Sequence, residues 1–171
     1  KAAVARAIEL NPSNAIALIE QIWISWFEKD FTNCKVQIEA AMRANPYEPL
    51  VLVSAGSFLA STGQDLEAGK EYIDQALRYN ETPQIWYYYG YLNYYLTKNE
   101  PGKALEYSLK QGIKNEHHLA RAVCLYWING DFDTAKLYYN QLVERFPTYS
   151  LDSIRRDQEV WSAGKVSRDL L

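Results

Sequence analysis

Ala7-Ile8-Glu9-Leu10-Asn11-Pro12 and Ala41-Met42-Arg43-Ala44-Asn45-Pro46 are one phrase written twice, 34 residues apart. Each closes a helical apolar pattern with Asn-Pro, and proline cannot continue a helix. Working outward, the interval recurs: Leu18, Leu52 and Trp86 are each separated by 34 residues, and Leu119 follows after 33. Four residues beyond these anchors stand Ile22, Gly56, Gly90 and Val123. A turn then recurs as Lys29-Asp30-Phe31, Gly63-Gln64-Asp65-Leu66 and Gly130-Asp131-Phe132, with Asn99-Glu100-Pro101-Gly102 as a longer version. A small residue follows each turn: Cys34, Gly69, Ala104 and Ala135. A period of this length marks a stacked array of supersecondary units.

Each unit reads as two helices. The first helices span about 15–28, 49–62, 84–97 and 117–129, and the second about 31–44, 66–79, 101–114 and 132–145. Apolar residues return at helical spacing, as in Leu119, Ala122, Val123 and Tyr126, and no sustained period-two alternation occurs. Pro49, Pro83 and Pro101 fall near helix starts, where a missing N–H is tolerated. Acidic residues such as Asp131 and Asp133 read as helix caps. Glycine inside a helix costs about 0.5–1 kcal/mol relative to alanine. Gly56, Gly69 and Gly90 therefore imply helices that approach closely.

With these features in place, the sequence resembles the tetratricopeptide repeat family. The last unit carries the pattern best, through Leu119, Ala122, Tyr126, Gly130, Asp131, Ala135, Tyr138, Leu142 and Pro147. Gln21, Ser25 and Gln111 depart from it. The resemblance implies an all-α, right-handed superhelix of helix-turn-helix repeats. It covers a half repeat at 1–13 and repeats at about 15–47, 48–82, 83–115 and 116–147. Residues 148–171 are expected to form a C-terminal capping helix, since a solenoid needs a polar-faced end.

Composition narrows the function classes. Hydrophobic residues at 48% and charged residues at 23% describe a globular chain and not a disordered one. A net charge of −3 gives no general attraction to nucleic acid, so no nucleic-acid partner is expected of this segment. No apolar run approaches the 18 residues of a membrane span. Cys34 and Cys124 make no disulfide framework. A reducing, cytoplasmic setting is expected, for a chain that opens in mid-helix at Lys1 and reads as part of something longer.

The family lines its concave face with the first helix of each repeat. Here that stripe is aromatic: Trp23, Trp26 and Phe27, then Tyr87, Tyr91, Tyr94 and Tyr95, then Trp127, over a small-residue floor that includes Ser57 and Ser61. Tyrosine and tryptophan suit recognition because a rigid apolar body carries a polar tip. A carboxylate clamp is not expected, because the matching positions are apolar or aromatic and Arg121 is the one nearby cation. His117 and His118 are adjacent, so on a helix they point apart and make no metal pair. Cys34 reads as core, and no phosphate loop or nucleophile motif is present. The expectation is a non-enzymatic scaffold, without cofactor or metal, that binds a partner protein or peptide in the aromatic groove. Two other readings of the same residues are a regulatory repeat region of a larger bacterial signalling or transcription regulator, and a glycan-binding repeat protein in polysaccharide export. An exposed tyrosine-rich face also allows a homodimer.

Overall fold

The computed structural model describes residues 1–150 and 152–156. Among them the chain is helical throughout, in four antiparallel hairpins preceded by a single helix. The opening helix is α1 (Ala2–Leu10). The hairpins are α2 (Ala15–Phe27) with α3 (Phe31–Ala44), α4 (Pro49–Thr62) with α5 (Leu66–Tyr79), α6 (Tyr88–Thr97) with α7 (Pro101–Lys110), and α8 (Glu116–Ile128) with α9 (Phe132–Arg145). A 3-10 turn, Ile85–Tyr87, leads into α6. Residues 152–156 are helical, but most of the expected capping helix, Leu151 and 157–171, lies outside the described residues. No helix among the described residues is long and apolar enough to cross a membrane.

Local chemistry accounts for the hairpins. Side chains of Asn14, Asp30, Asp65, Asn115 and Asp131 accept a hydrogen bond from the backbone N–H three residues on, capping α2, α3, α5, α8 and α9. Pro49 and Pro101 stand in the first turns of α4 and α7. Each hairpin turn contains one left-handed residue: Lys29 at φ 61°, Gly63 at 67°, Asn99 at 56° and Gly130 at 81°. In three of the turns the residue after it donates back to the carbonyl of Ser25, Tyr95 or Tyr126. This is the bond pattern that ends a helix with a left-handed residue. The same turn is thus made four times, with glycine at only two of the sites.

The hairpins stack so that α2, α4 and α6 lie side by side, while α8 rests on α7. Leu18, Leu52 and Leu119, the repeat anchors, are 6%, 0% and 0% exposed. Trp86, in the same frame, is half-buried beside Leu52 and Tyr87. The small residues act as expected in the second hairpin. A Cβ on Gly56 would lie 2.5 Å from the Gly69 carbonyl oxygen, and one on Gly69 would lie 3.1 Å from the Ala60 nitrogen. Backbone therefore touches backbone between α4 and α5. Cys34 is fully buried, and its thiol points to the Ile22 carbonyl oxygen at 3.6 Å.

The third unit departs from expectation at both ends. Its first helix does not run unbroken from 84, because the 3-10 turn precedes α6. Its second helix ends at Lys110 and not at 114, since Gln111 caps it and Gly112 turns the chain left-handed at φ 73°.

Candidate functional site

The first helices α2 and α4, with Tyr89 of α6, enclose a shallow pocket. Its walls are Ile22, Trp23, Trp26, Phe58 and Tyr89, and its floor is Ser54, Ser57 and Ser61. The floor is low because α4 carries serine where a larger residue would fill the gap. Gly90 permits this approach: a Cβ there would meet the Ser57 hydroxyl at 2.8 Å and the Ile73 side chain at 2.6 Å. Asn93 of α6 donates to the Ser61 hydroxyl at 2.6 Å, and the Thr97 hydroxyl donates to the Ala60 carbonyl at 3.2 Å. These bonds lock α6 along α4.

Two polar groups of the pocket residues are buried without a partner: the Trp26 Nε1–H and the Ser54 hydroxyl. Trp26 is 4% exposed and Ser54 2%. A serine inside a helix usually turns its hydroxyl onto the carbonyl four residues back; Thr62 does this to Phe58 at 2.9 Å, whereas Ser54 does not. Leaving such a group buried and unpaired costs about 1–3 kcal/mol. The pocket thus offers ring surface, while these two polar atoms lie buried behind it.

The expected aromatic site residues divide into two groups. Trp23 is half-buried in the pocket wall, edge-on to Trp26 at 6.1 Å and tilted against Phe27 at 6.4 Å. Phe27 is 49% exposed, and Trp127 is 61% exposed beside Phe132 at 4.8 Å. Tyr95 is half-buried. Trp26, Tyr87, Tyr91 and Tyr94, in contrast, are buried within the fold. Trp26 stands edge-on to Phe31 and Phe58 at 5.5 and 5.7 Å and belongs to the core of the first two hairpins. Tyr87 packs with Leu52, Val53 and Ala76. The Tyr91 hydroxyl donates to the Asp74 carboxylate, and the Tyr94 hydroxyl donates to Glu67 at 3.0 Å, both on α5. Tyr91 and Tyr95 stack on Tyr107 of α7 at 4.6 and 5.4 Å.

Tyr91 and Tyr94, expected on the partner-facing stripe, are turned by α6 toward α5 and α7. Burial, together with the bond it donates to Asp74, pushes the Tyr91 phenol far above its usual range.

What α6 presents to the pocket is Tyr89, a residue off the predicted stripe. Tyr89 is also met by Arg121 of α8. The Arg121 guanidinium sits over its ring at 5.5 Å and donates to the Gln111 side-chain oxygen at 3.1 Å. Arg121 is half-buried, and desolvation lowers its proton affinity from the ordinary value, against a smaller opposing effect of Tyr89 and Tyr149. Ser54 and Tyr89 carry no signal in the repeat frame. Gln111 and Arg121 do, as a departure from a small residue and as the lone cation of the region.

The remaining reactive groups are quiet. Burial raises the Cys34 thiol to about 11 and also raises Cys124, so neither is an activated nucleophile. His118 accepts from the Lys114 N–H at 3.2 Å, and the His117 ring lies edge-on to Tyr149 at 5.8 Å. No group of three or more metal-ligating side chains occurs among the described residues.

Residues 119–149 match the family model described as the tetratricopeptide repeat. The chain is also similar to a solved structure from the functional characterization of Pseudomonas aeruginosa PilF. That match has a TM-score of 0.62 at 21% identity, over 91% of this chain and 71% of the other. It shows the fold, a superhelix of helical hairpins. No curated protein matches the chain.

Proposed function

We propose, on the premise that this chain is a solenoid of tetratricopeptide repeats, that it is a non-catalytic scaffold whose first-helix face holds a segment of a partner protein. The observation that carries this reading is the pocket between α2, α4 and Tyr89, with aromatic walls over a serine floor. A peptide side chain would meet the rings of Trp23, Phe58 and Tyr89 that wall the pocket. Aromatic anchors at a pocket are where interface energy concentrates.

Of the aromatic residues on the predicted stripe, Trp23, Phe27, Tyr95 and Trp127 keep the exposure a contact requires. Trp26 serves as wall, while Tyr87, Tyr91 and Tyr94 act indirectly by setting the angle of α6. The quiet thiols and the lack of an assembled acid, base and nucleophile among the residues at the pocket favour binding over chemistry.

The test is selection of random 12-residue displayed peptides on the full chain, followed by affinity measurement on Trp23→Ala and Tyr89→Ala. Both side chains are half-buried, so helicity by circular dichroism should hold. Selected peptides should lose at least tenfold in affinity on each variant, about 1.4 kcal/mol. Peptides that bind both variants as well as the parent would remove the pocket from the interface.

A further inference from the structure

The fourth hairpin shows to solvent the side chains that earlier hairpins bury. Trp26 lies twelve residues after the capping Asn14, and Trp127 lies twelve after Asn115. Trp26 is 4% exposed and Trp127 61%. Ala60 and Tyr94, which follow Trp26 at the 34-residue period, are buried too. The second helices repeat the contrast. Ile38 and Ile73, eight residues after Asp30 and Asp65, are buried, whereas Tyr139, eight after Asp131, is 54% exposed. A contiguous apolar surface of this kind calls for a cover.

In the earlier units the first helix that follows supplies the cover. Phe58 of α4, ten residues after its cap Glu48, stands edge-on to Trp26 at 5.7 Å. A Cβ on Gly90 of α6 would lie 2.6 Å from the Ile73 side chain. The chain after α9 begins the same arrangement. The Ser150 hydroxyl accepts from the Ser153 N–H at 3.3 Å, and the Ser153 hydroxyl accepts in return from the Ser150 N–H. Such reciprocal bonds cap a helix start, and residues 152–156 are helical. Ile154 comes four residues after this cap, as Leu18, Leu52 and Leu119 do after theirs, and it packs on Leu119 and Leu142. In this register Val160 holds the place of Phe58, with Trp161 beside it.

We infer that residues 157–161 of the same chain lie over the end of α8 and the start of α9, with Val160 against Trp127 as Phe58 is against Trp26. The occupant is the chain's own segment because Ile154 already seats it on the fourth hairpin. A tethered segment acts at a high effective concentration, which a second copy or a separate partner has to outcompete. Burial of the Trp127 and Phe132 rings, 4.8 Å apart, supplies the driving force. Trp127 is thereby withdrawn from partners, and the accessible aromatics of the stripe are those of α2 and α6. The pocket walled by Trp23 and Tyr89 does not include Trp127, so self-occupancy here stands or falls apart from binding there.

Hydroxyl-radical footprinting of the full chain, read by mass spectrometry, compares one tryptophan with another. In the parent, Trp127 should be oxidised nearly as slowly as Trp26. Val160→Asp should raise the Trp127 rate several-fold and Trp161→Ala by less, with the Trp26 rate and the helicity by circular dichroism unchanged. Should Val160→Asp lower the helicity, Val160→Ala takes its place. Fast oxidation of Trp127 in the parent overturns the inference, and so does slow oxidation that no variant relieves. Protection that appears only at high protein concentration gives the surface to a second copy and overturns it as well.

Discussion

The second and third hairpins solve one packing problem in opposite ways. Between α4 and α5 the side chains are left out: Gly56 and Gly69 bring backbone onto backbone, so that an added Cβ would stand 2.5 or 3.0 Å from a carbonyl oxygen. Between α6 and α7 the space is filled: Tyr107 stacks against Tyr91 and Tyr95, with Lys110 over Tyr107 at 4.3 Å and Lys103 over Tyr95 at 5.2 Å. Gly90 stands at the repeat position of Gly56, yet it packs on Ile73 and Ser57 of the preceding hairpin. A small residue at a repeat position therefore marks a close approach without saying to which neighbour. In the third unit the freed contact is the one that lays α6 along α4 and forms the pocket.

This contrast can be broken most decisively at the two glycines. Gly56→Ala would gain up to about 1 kcal/mol of helix propensity, but its Cβ meets a backbone oxygen that cannot move without separating two helices. A net loss of about 2–3 kcal/mol is expected, from the range for overpacking. Gly90→Ala meets side-chain ends at Ile73 and Ser57, which can turn aside. It should cost about 1 kcal/mol or less on the same scale. Urea unfolding of the two variants measures both, and equal losses would mean that the hairpins are closed in the same way.

The next effect in size belongs to the tyrosine stack. Tyr107→Ala removes a half-buried ring held between two others, and a loss of about 2 kcal/mol is expected, below the range for fully buried rings. Tyr91→Phe keeps the ring and deletes only its bond to Asp74, which retains Lys70. It should cost about 1.5 kcal/mol, at the low end for a bond to a charged group. If Tyr91→Phe costs as much as Tyr107→Ala, the hairpin is held by its polar bonds and the stacked rings are incidental.

The smallest effect is electrostatic and joins the two hairpins. Glu67 of α5 accepts from Lys98 and from the Tyr94 hydroxyl of α6, each at 3.0 Å, and these bonds hold its carboxyl below the usual value of 4.5. A lowered value in the folded chain means that the unfolded chain binds more protons in acid. The contribution is therefore complete above about pH 4.5 and is lost as pH falls through the lowered value. Because Glu67 is exposed, the effect should be slight. It would be seen as a shallower acid limb of stability against pH in Glu67→Gln than in the parent, and identical limbs would remove this link.

Much of the fold is legible along the chain because its causes are local. The Asn-Pro phrases, the capping residues Asp30, Asp65, Asn115 and Asp131, the prolines at 49 and 101 and the left-handed turns act within a few residues of themselves. The site was legible only in part. Trp23, Phe27, Tyr95 and Trp127 lie on the predicted stripe and remain accessible. Tyr87, Tyr91 and Tyr94 lie on it as well, yet they are buried, as are Ile19, Trp26, Val53, Ser57 and Ala60, because much of that stripe packs against neighbouring helices.

By itself, then, the sequence determined the helices, their boundaries to within a turn outside the third unit, the hairpin count and the small-residue contact of α4 with α5, since periodicity, caps and steric bulk are properties of short stretches. Only the tertiary structure decided which face of α6 meets which neighbour, that Ser54 and Trp26 are left unpaired in the fold, and that Arg121 is drawn over the Tyr89 ring with no acidic partner among the described residues. Those outcomes depend on the rotation of one helix against three others, and rotation is set by the sum of contacts across hairpins that no single repeat contains.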